Sequence, residues 1–118
     1  MISIRGAIVI PDNTKACILG ETKFLIEEIL KSNNVEAEEI ISIVFSATRD
    51  LTASYPAPAA RELGIVDASL LCVQEMYVEN SLPMCIRLLM NVNKDSNQKA
   101  VKHIYLNGAE ALRPDIAK

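Results

Sequence analysis

The chain is poor in the residues on which most site chemistry is built. Histidine occurs once, at His103, and the three cysteines, Cys17, Cys72 and Cys85, stand far apart with no CxxC pair. That spacing supports neither a zinc site nor a disulfide framework. A GxSxG elbow, an HExxH helix and a glycine-rich phosphate loop are all missing, which argues against the triad, metallopeptidase and nucleotide chemistries they serve. A basic excess is missing too. Twelve Lys and Arg stand against fifteen Asp and Glu, with a net charge of -3 and a pI near 5.1. Nucleic acid and anionic membranes both demand a basic face, so neither is an expected partner, and an anionic ligand needs a local basic pocket instead. No apolar run is long enough to span a bilayer, and "MISIRGAIVI" lacks the basic head and cleavage site of a signal peptide, so a cytoplasmic protein is expected. No repeat, linker or low-complexity segment breaks the 118 residues, which are read as one domain, 1–118.

What is present is hydrophobic pattern, since half the residues are apolar. "ISIRGAIVI" ends at the turn signal "PDN" and predicts a strand over Ile2 to Ile10. From Asn13 or Thr14 the spacing becomes helical. Ile18, Leu25, Ile26, Ile29 and Leu30 form one stripe, Lys15, Lys23, Glu27 and Lys31 face away, and "SNN" stops the helix. "VEAEE" reads as a turn and "IISIVFSA" as a second strand. "YPAPAARELG" opens on prolines and closes on Gly64, the pattern of a short helix. "ASLLCVQEM" and "MCIRLLMNV" predict two more strands, "DSNQKAVK" a turn or short helix, and "HIYL" a last strand. The polar tail from about residue 107, "NGAEALRPDIAK", is read as loose. The fold class is α/β (α+β): a mixed sheet packed with one long and one short helix.

One residue stands out against this pattern. "MCIRLLMNV" is almost wholly apolar yet holds Arg87, whose guanidinium cannot give up its proton. Alternation puts Ile86, Leu88, Met90 and Val92 on the core face and Cys85, Arg87, Leu89 and Asn91 on the other. Arg87 is thus a fixed charge in a half-apolar wall. From alternation alone, a structural ion pair explains it as well as a ligand site does.

Seven blocks in register, "RGA", "SATRDL", "YPAPAAREL", "CVQEM", "CIRLLM", "HIYL" and "LRPD", closely resemble the monofunctional chorismate mutases of the Bacillus type, and the likeness runs through nearly the whole chain. The resemblance implies a homotrimer of mixed α/β subunits forming a pseudo-barrel, with active sites between neighbouring subunits. It also implies conversion of chorismate to prephenate with no cofactor and no metal. That reaction is an intramolecular [3,3] shift in which an ether C–O bond breaks as a C–C bond forms. It needs a site that holds a compact conformer and sets positive charge where negative charge grows, without nucleophile or proton transfer. A chain without triads or metal motifs suits it.

The resemblance also assigns roles. Arg87 matches the arginine on the breaking ether oxygen, Arg5 one that binds a carboxylate, Tyr105 a tyrosine on the enolpyruvyl carboxylate, and Glu75 the acceptor of the ring hydroxyl. Tyr55, Ala57, Arg61, Leu71, Cys72, Leu112 and Arg113 match residues lining the substrate, with Arg61 and Arg113 receiving carboxylates at the mouth and tail. Cys72 and Glu75, three apart, point to opposite faces of a regular strand, so bringing both to the substrate requires a bulge or strand end at Val73 to Glu75. The chain departs from the family pattern at Tyr55, where phenylalanine is usual, at Pro58, where lysine is usual, and at Leu71, where threonine is frequent. Two other readings stay open: a trimeric enamine/imine deaminase of the Rid type, and a non-catalytic module binding an aromatic-pathway acid.

Overall fold

Alternating isoleucines make the first strand one-sided, and the rest of the chain is organised by that side. In the computed structural model, which describes residues 1–116, β1 (Ile2–Val9) buries Ile2, Ile4 and Ile8 beneath α1 (Lys15–Asn33). Thr14 caps the helix, its side chain accepting from the Cys17 N–H, and Asn34 ends it in the left-handed region at φ 53°. The expected stripe is the packed face: Ile18, Leu25, Ile26 and Ile29 are buried, with Leu30 packed at the margin. Thr22 joins them, its hydroxyl donating to the Ile18 carbonyl at 2.6 Å. Lys23, read as facing away, pairs instead with Glu62 of α2 (Ala57–Glu62), tying the two helices together.

The remaining strands are β2 (Ile40–Ala47), β3 (Ser69–Gln74), β4 (Cys85–Val92) and β5 (Ile104–Leu106). The sheet order is β3-β2-β4-β1-β5. β4 runs antiparallel to both β1 and β2, while β2–β3 and β1–β5 are parallel, so the sheet is mixed as expected. The parallel β2–β3 pair requires a crossover, which contains α2. Both helices lie on one face of the sheet, over the core of Ile43, Phe45, Ile86, Leu88, Met90 and Val92.

Gly6 faces α1, and a Cβ there would meet Ile29 Cδ1 at 2.6 Å. The missing side chain lets the helix close on the strand.

The outer edge of β1 is finished by side chains as much as by strand. Gln98 accepts from the Ser3 N–H at 2.8 Å and donates to the Ser3 carbonyl at 2.7 Å, and His103 Nδ1 accepts from the Arg5 N–H at 2.9 Å. Only beyond these does β5 pair with Gly6, Ala7 and Ile8.

The opposite sheet face is only partly covered. The tail forms a 3-10 turn at Ala109–Leu112. Ala109 is fully buried with Ala7, Cys85 and Tyr105, and Leu112 and Ile116 pack alongside. Residues 117 and 118 lie outside the described residues. The rest of this face carries exposed Leu71, Val73 and Leu89.

Candidate active site

Strand register sets the site. Tyr105 on β5 lies opposite Ala7 on β1, Ala7 opposite Arg87 on β4, and Arg87 opposite Ser46 on β2. At about 4.8 Å per strand, Tyr105 and Arg87 are two steps apart across the small side chain of Ala7, and Arg5 stands two residues, roughly 7 Å, further along β1. All project from the face away from the helices.

Glu75 completes the row from one residue beyond β3. Its N–H continues the ladder onto the Ala47 carbonyl at 2.9 Å. Its Oε1 accepts from the Ser46 hydroxyl at 2.6 Å, and Oε2 stands 3.7 Å from Arg87 Nη1. The Arg87 side chain is 41% exposed, so this loose pair is not a buried structural ion pair. Its exposure leaves the guanidinium fork open to another acceptor.

The turn after β2 builds the neighbouring wall. Asp50 accepts from the Met84 N–H with both oxygens, at 3.1 and 3.2 Å, holding Met84 at φ 53°, and it also accepts from the Thr48 hydroxyl. Thr48 Oγ1 in turn accepts from the Cys85 N–H at 3.0 Å. This clamp fixes where β4 begins. A cleft of about 350 Å³ results, lined by Arg87, Glu75, Cys85, Leu112, Arg49 and Tyr77 among others.

A second, larger cleft of about 670 Å³ holds Tyr55, Cys72, Lys15, Arg49 and the 52–56 loop. Asn13 fixes that loop, its Oδ1 accepting from the Thr52 and Ala53 N–H groups at 2.9 and 3.1 Å.

The residues singled out in the sequence therefore fall into two groups. Arg87, Glu75 and Leu112 share the smaller cleft, with Arg5 and Tyr105 beside it on the same sheet face. Tyr55 and Cys72 line the larger one, where Leu71 and Arg61 are exposed nearby in the chain but Ala57 is buried against the core. Of the bulge or strand end expected at Val73 to Glu75, the strand end is what the structure has, and it does not turn Cys72 and Glu75 to one face. Pairing between β2 and β3 is regular, β3 simply ends at Gln74, and alternation sends Cys72 toward Phe45 while Glu75 follows Leu71 and Val73 to the open face. The irregularity in the sheet lies instead at Ile40/Ser42, where β2 meets β4. Arg113 is forked onto Asp115 at 2.8 and 3.0 Å, which holds the Asp115 carboxyl below its usual range. Sequence reading missed Ser46, although alternation in "IISIVFSA" already put it on the same face as Val44 and Ser42.

Acid–base and nucleophilic groups are poorly placed. Burial pushes the Cys85 thiol up to about 11, outweighing the nearby Arg87 charge, so it remains protonated and acts as apolar wall. His103 spends Nδ1 on the Arg5 backbone. Burial, with the Arg5 and Arg113 charges, holds it below its ordinary 6.5. The folded state then binds fewer protons than the unfolded chain as pH falls below about 6.5, so this contribution to stability is complete above 6.5 and is lost as pH falls through the folded value. Urea midpoints measured from pH 7.5 down to 5 should decline for the wild type and decline less for His103→Gln; parallel curves would refute the assignment.

Comparison with known proteins agrees with this chemistry. The family model for chorismate mutase type I matches residues 1–116. Chorismate mutase AroH of Bacillus subtilis is 41% identical over 115 residues, covering 97% of this chain and 91% of that protein. The AroH of Thermus thermophilus is 40% identical over 114 residues, covering 96% and 93%. A solved chorismate mutase from Clostridium thermocellum superposes with a TM-score of 0.90 at 46% identity, over 92% of this chain and 97% of that one. An open arginine fork and a steadied carboxylate suit a rearrangement that needs charge and no proton transfer. On sequence and fold together, the chain belongs to the type I chorismate mutases, the isomerases that rearrange chorismate to prephenate in aromatic amino acid biosynthesis.

Proposed function

We propose that this chorismate mutase works as a cytoplasmic homotrimer, with each active site shared between neighbouring subunits. Arg87, Glu75, Arg5 and Tyr105, with Leu112 and Arg113, come from one chain; Tyr55, Ala57, Arg61, Leu71 and Cys72 come from the next. The observation that carries this reading is that Arg87, Glu75 and Leu112 line one cleft of the chain while Tyr55 and Cys72 line the adjoining one. The exposed Leu71, Val73 and Leu89 on the sheet face away from the helices support it, because an apolar strand surface of this kind is stable when a partner covers it.

Within the shared cleft, the Arg87 fork serves the ether oxygen as its bond lengthens. Glu75, held by Ser46, orients that fork and accepts the ring hydroxyl. Arg5 and Tyr105 receive carboxylates, and Arg113 leaves Asp115 to join them. Positive charge at the breaking bond favours the transition state over the ground state, which is where catalysis resides.

The test is turnover with assembly. Loss of chorismate absorbance, set against imine hydrolysis in the same preparation, separates the mutase from a deaminase, and relatives named for chorismate mutase activity already favour the first. Sedimentation should give a trimer; a fully active monomer would defeat the shared site. Since no proton moves, kcat should stay flat between about pH 7 and 9. A steep titration of kcat in that range would refute the pericyclic route.

A further inference from the structure

We propose that Arg49, laid across the ring of Tyr77, is a substrate-binding residue that receives a carboxylate of the dianion at the mouth of the cleft. The proposal rests on the shared-site reading above and adds to it a residue which that reading leaves unused.

The charges lining the smaller cleft are Arg49, Asp50, Glu75 and Arg87, two of each sign. Two are committed to the protein itself, and the third, Arg87, is reserved by the reading above for the ether oxygen. Asp50 is bonded to the Met84 N–H and to Thr48, Glu75 to Ser46, and Arg87 faces Glu75. Among the described residues this lining carries no net positive charge, so a dianion entering the cleft needs a cation there whose donors are free for its carboxylate. Arg49 is that cation: among the described residues its side chain has neither a hydrogen bond nor a carboxylate within ion-pair distance. Its guanidinium carbon sits 3.6 Å from the Tyr77 ring centroid. Stacking uses the face of the guanidinium and leaves the in-plane N–H donors pointing outward, which is the edge that grips a carboxylate. Arg49 also lines the larger cleft, where Lys15 is the only other charged residue among the described residues. It therefore stands at the border of the two half-sites.

The experiment is steady-state kinetics on the full chain with chorismate. Arg49→Ala should raise KM about tenfold, the scale of one charge-assisted hydrogen bond, with kcat changed less than about twofold. Tyr77→Ala, which removes the ring under the guanidinium, should raise KM by a smaller factor than Arg49→Ala. The fall of kcat/KM with added salt should be shallower in Arg49→Ala than in wild type. An unchanged KM in Arg49→Ala, with or without a lower melting temperature, overturns the proposal and reduces the pair to a surface clip. A wild type that leaves chorismate untouched overturns the shared-site reading itself, so the two failures are distinct.

Discussion

Arg87→Lys should lower kcat by at least about a hundredfold while changing KM much less, by analogy with the loss of an oxyanion-hole donor. The ether oxygen carries little charge in the bound substrate and gains it only as its bond breaks, so a donor aimed there contributes mainly to the transition state. Lysine keeps the charge. It loses the planar fork and some reach, and cannot serve the ether oxygen and a carboxylate together. The surroundings cannot compensate: Ala7 on one side of Arg87 offers no donor, and the Ser46 hydroxyl on the other is given to Glu75. Stopped assays over a range of chorismate concentrations separate the two constants. A variant with intact kcat and raised KM would make Arg87 a plain carboxylate anchor, and the mechanism would have to be rebuilt around another residue.

Mixing two inactive chains should restore activity. If Arg87 and Arg61 reach one cleft from neighbouring subunits, Arg87→Ala and Arg61→Ala each damage every site in their own homotrimer. A trimer assembled from both can contain a site with neither defect. Co-expressed or refolded mixtures should therefore recover a substantial fraction of wild-type turnover, at most roughly a quarter under random assortment of equal chains, since each partner must be intact in its own half. Recovery no greater than the sum of the separate variants would place both arginines in sites built by a single chain.

Much of the fold was legible because its signals are local. Alternation in "CIRLLMNV" assigned the two faces of β4, and the 3.6-residue stripe from Ile18 to Leu30 described α1. The same alternation, continued through "SLLCVQE", separates Cys72 from Glu75, and of the bulge or strand end inferred at Val73 to Glu75 the structure has the strand end, at Gln74. What escaped were contacts between residues far apart in the chain. Lys23 looks like any solvent-facing lysine until α2 brings Glu62 to it. The Cys85 face of β4 reads as open until Ala109 and Leu112 cover it. In the site, Arg87 was conspicuous because charge interrupts an apolar run, whereas Ser46 and Arg49 carry no such contrast; their significance comes from Glu75 and Tyr77, which only tertiary structure delivers.

The finishing of the β1 edge by Gln98 and His103 has a consequence for how the chain is made. Of the five strands β1 is synthesised before the others, yet its two neighbours in the sheet are β4, from Cys85, and β5, from Ile104. The side-chain bonds that close its outer edge join residues 95 and 98 positions apart. During synthesis the strand bearing Arg5 has only α1 to lie against, with both hydrogen-bonding edges open until β4 has emerged and the outer one until β5 follows. Such long-range closure is slow, and an unpaired isoleucine-rich strand invites association with other chains in the interval. The earliest and latest strands of this sheet are thus completed together, and the edge at Arg5 is closed only when His103 arrives to accept its backbone N–H.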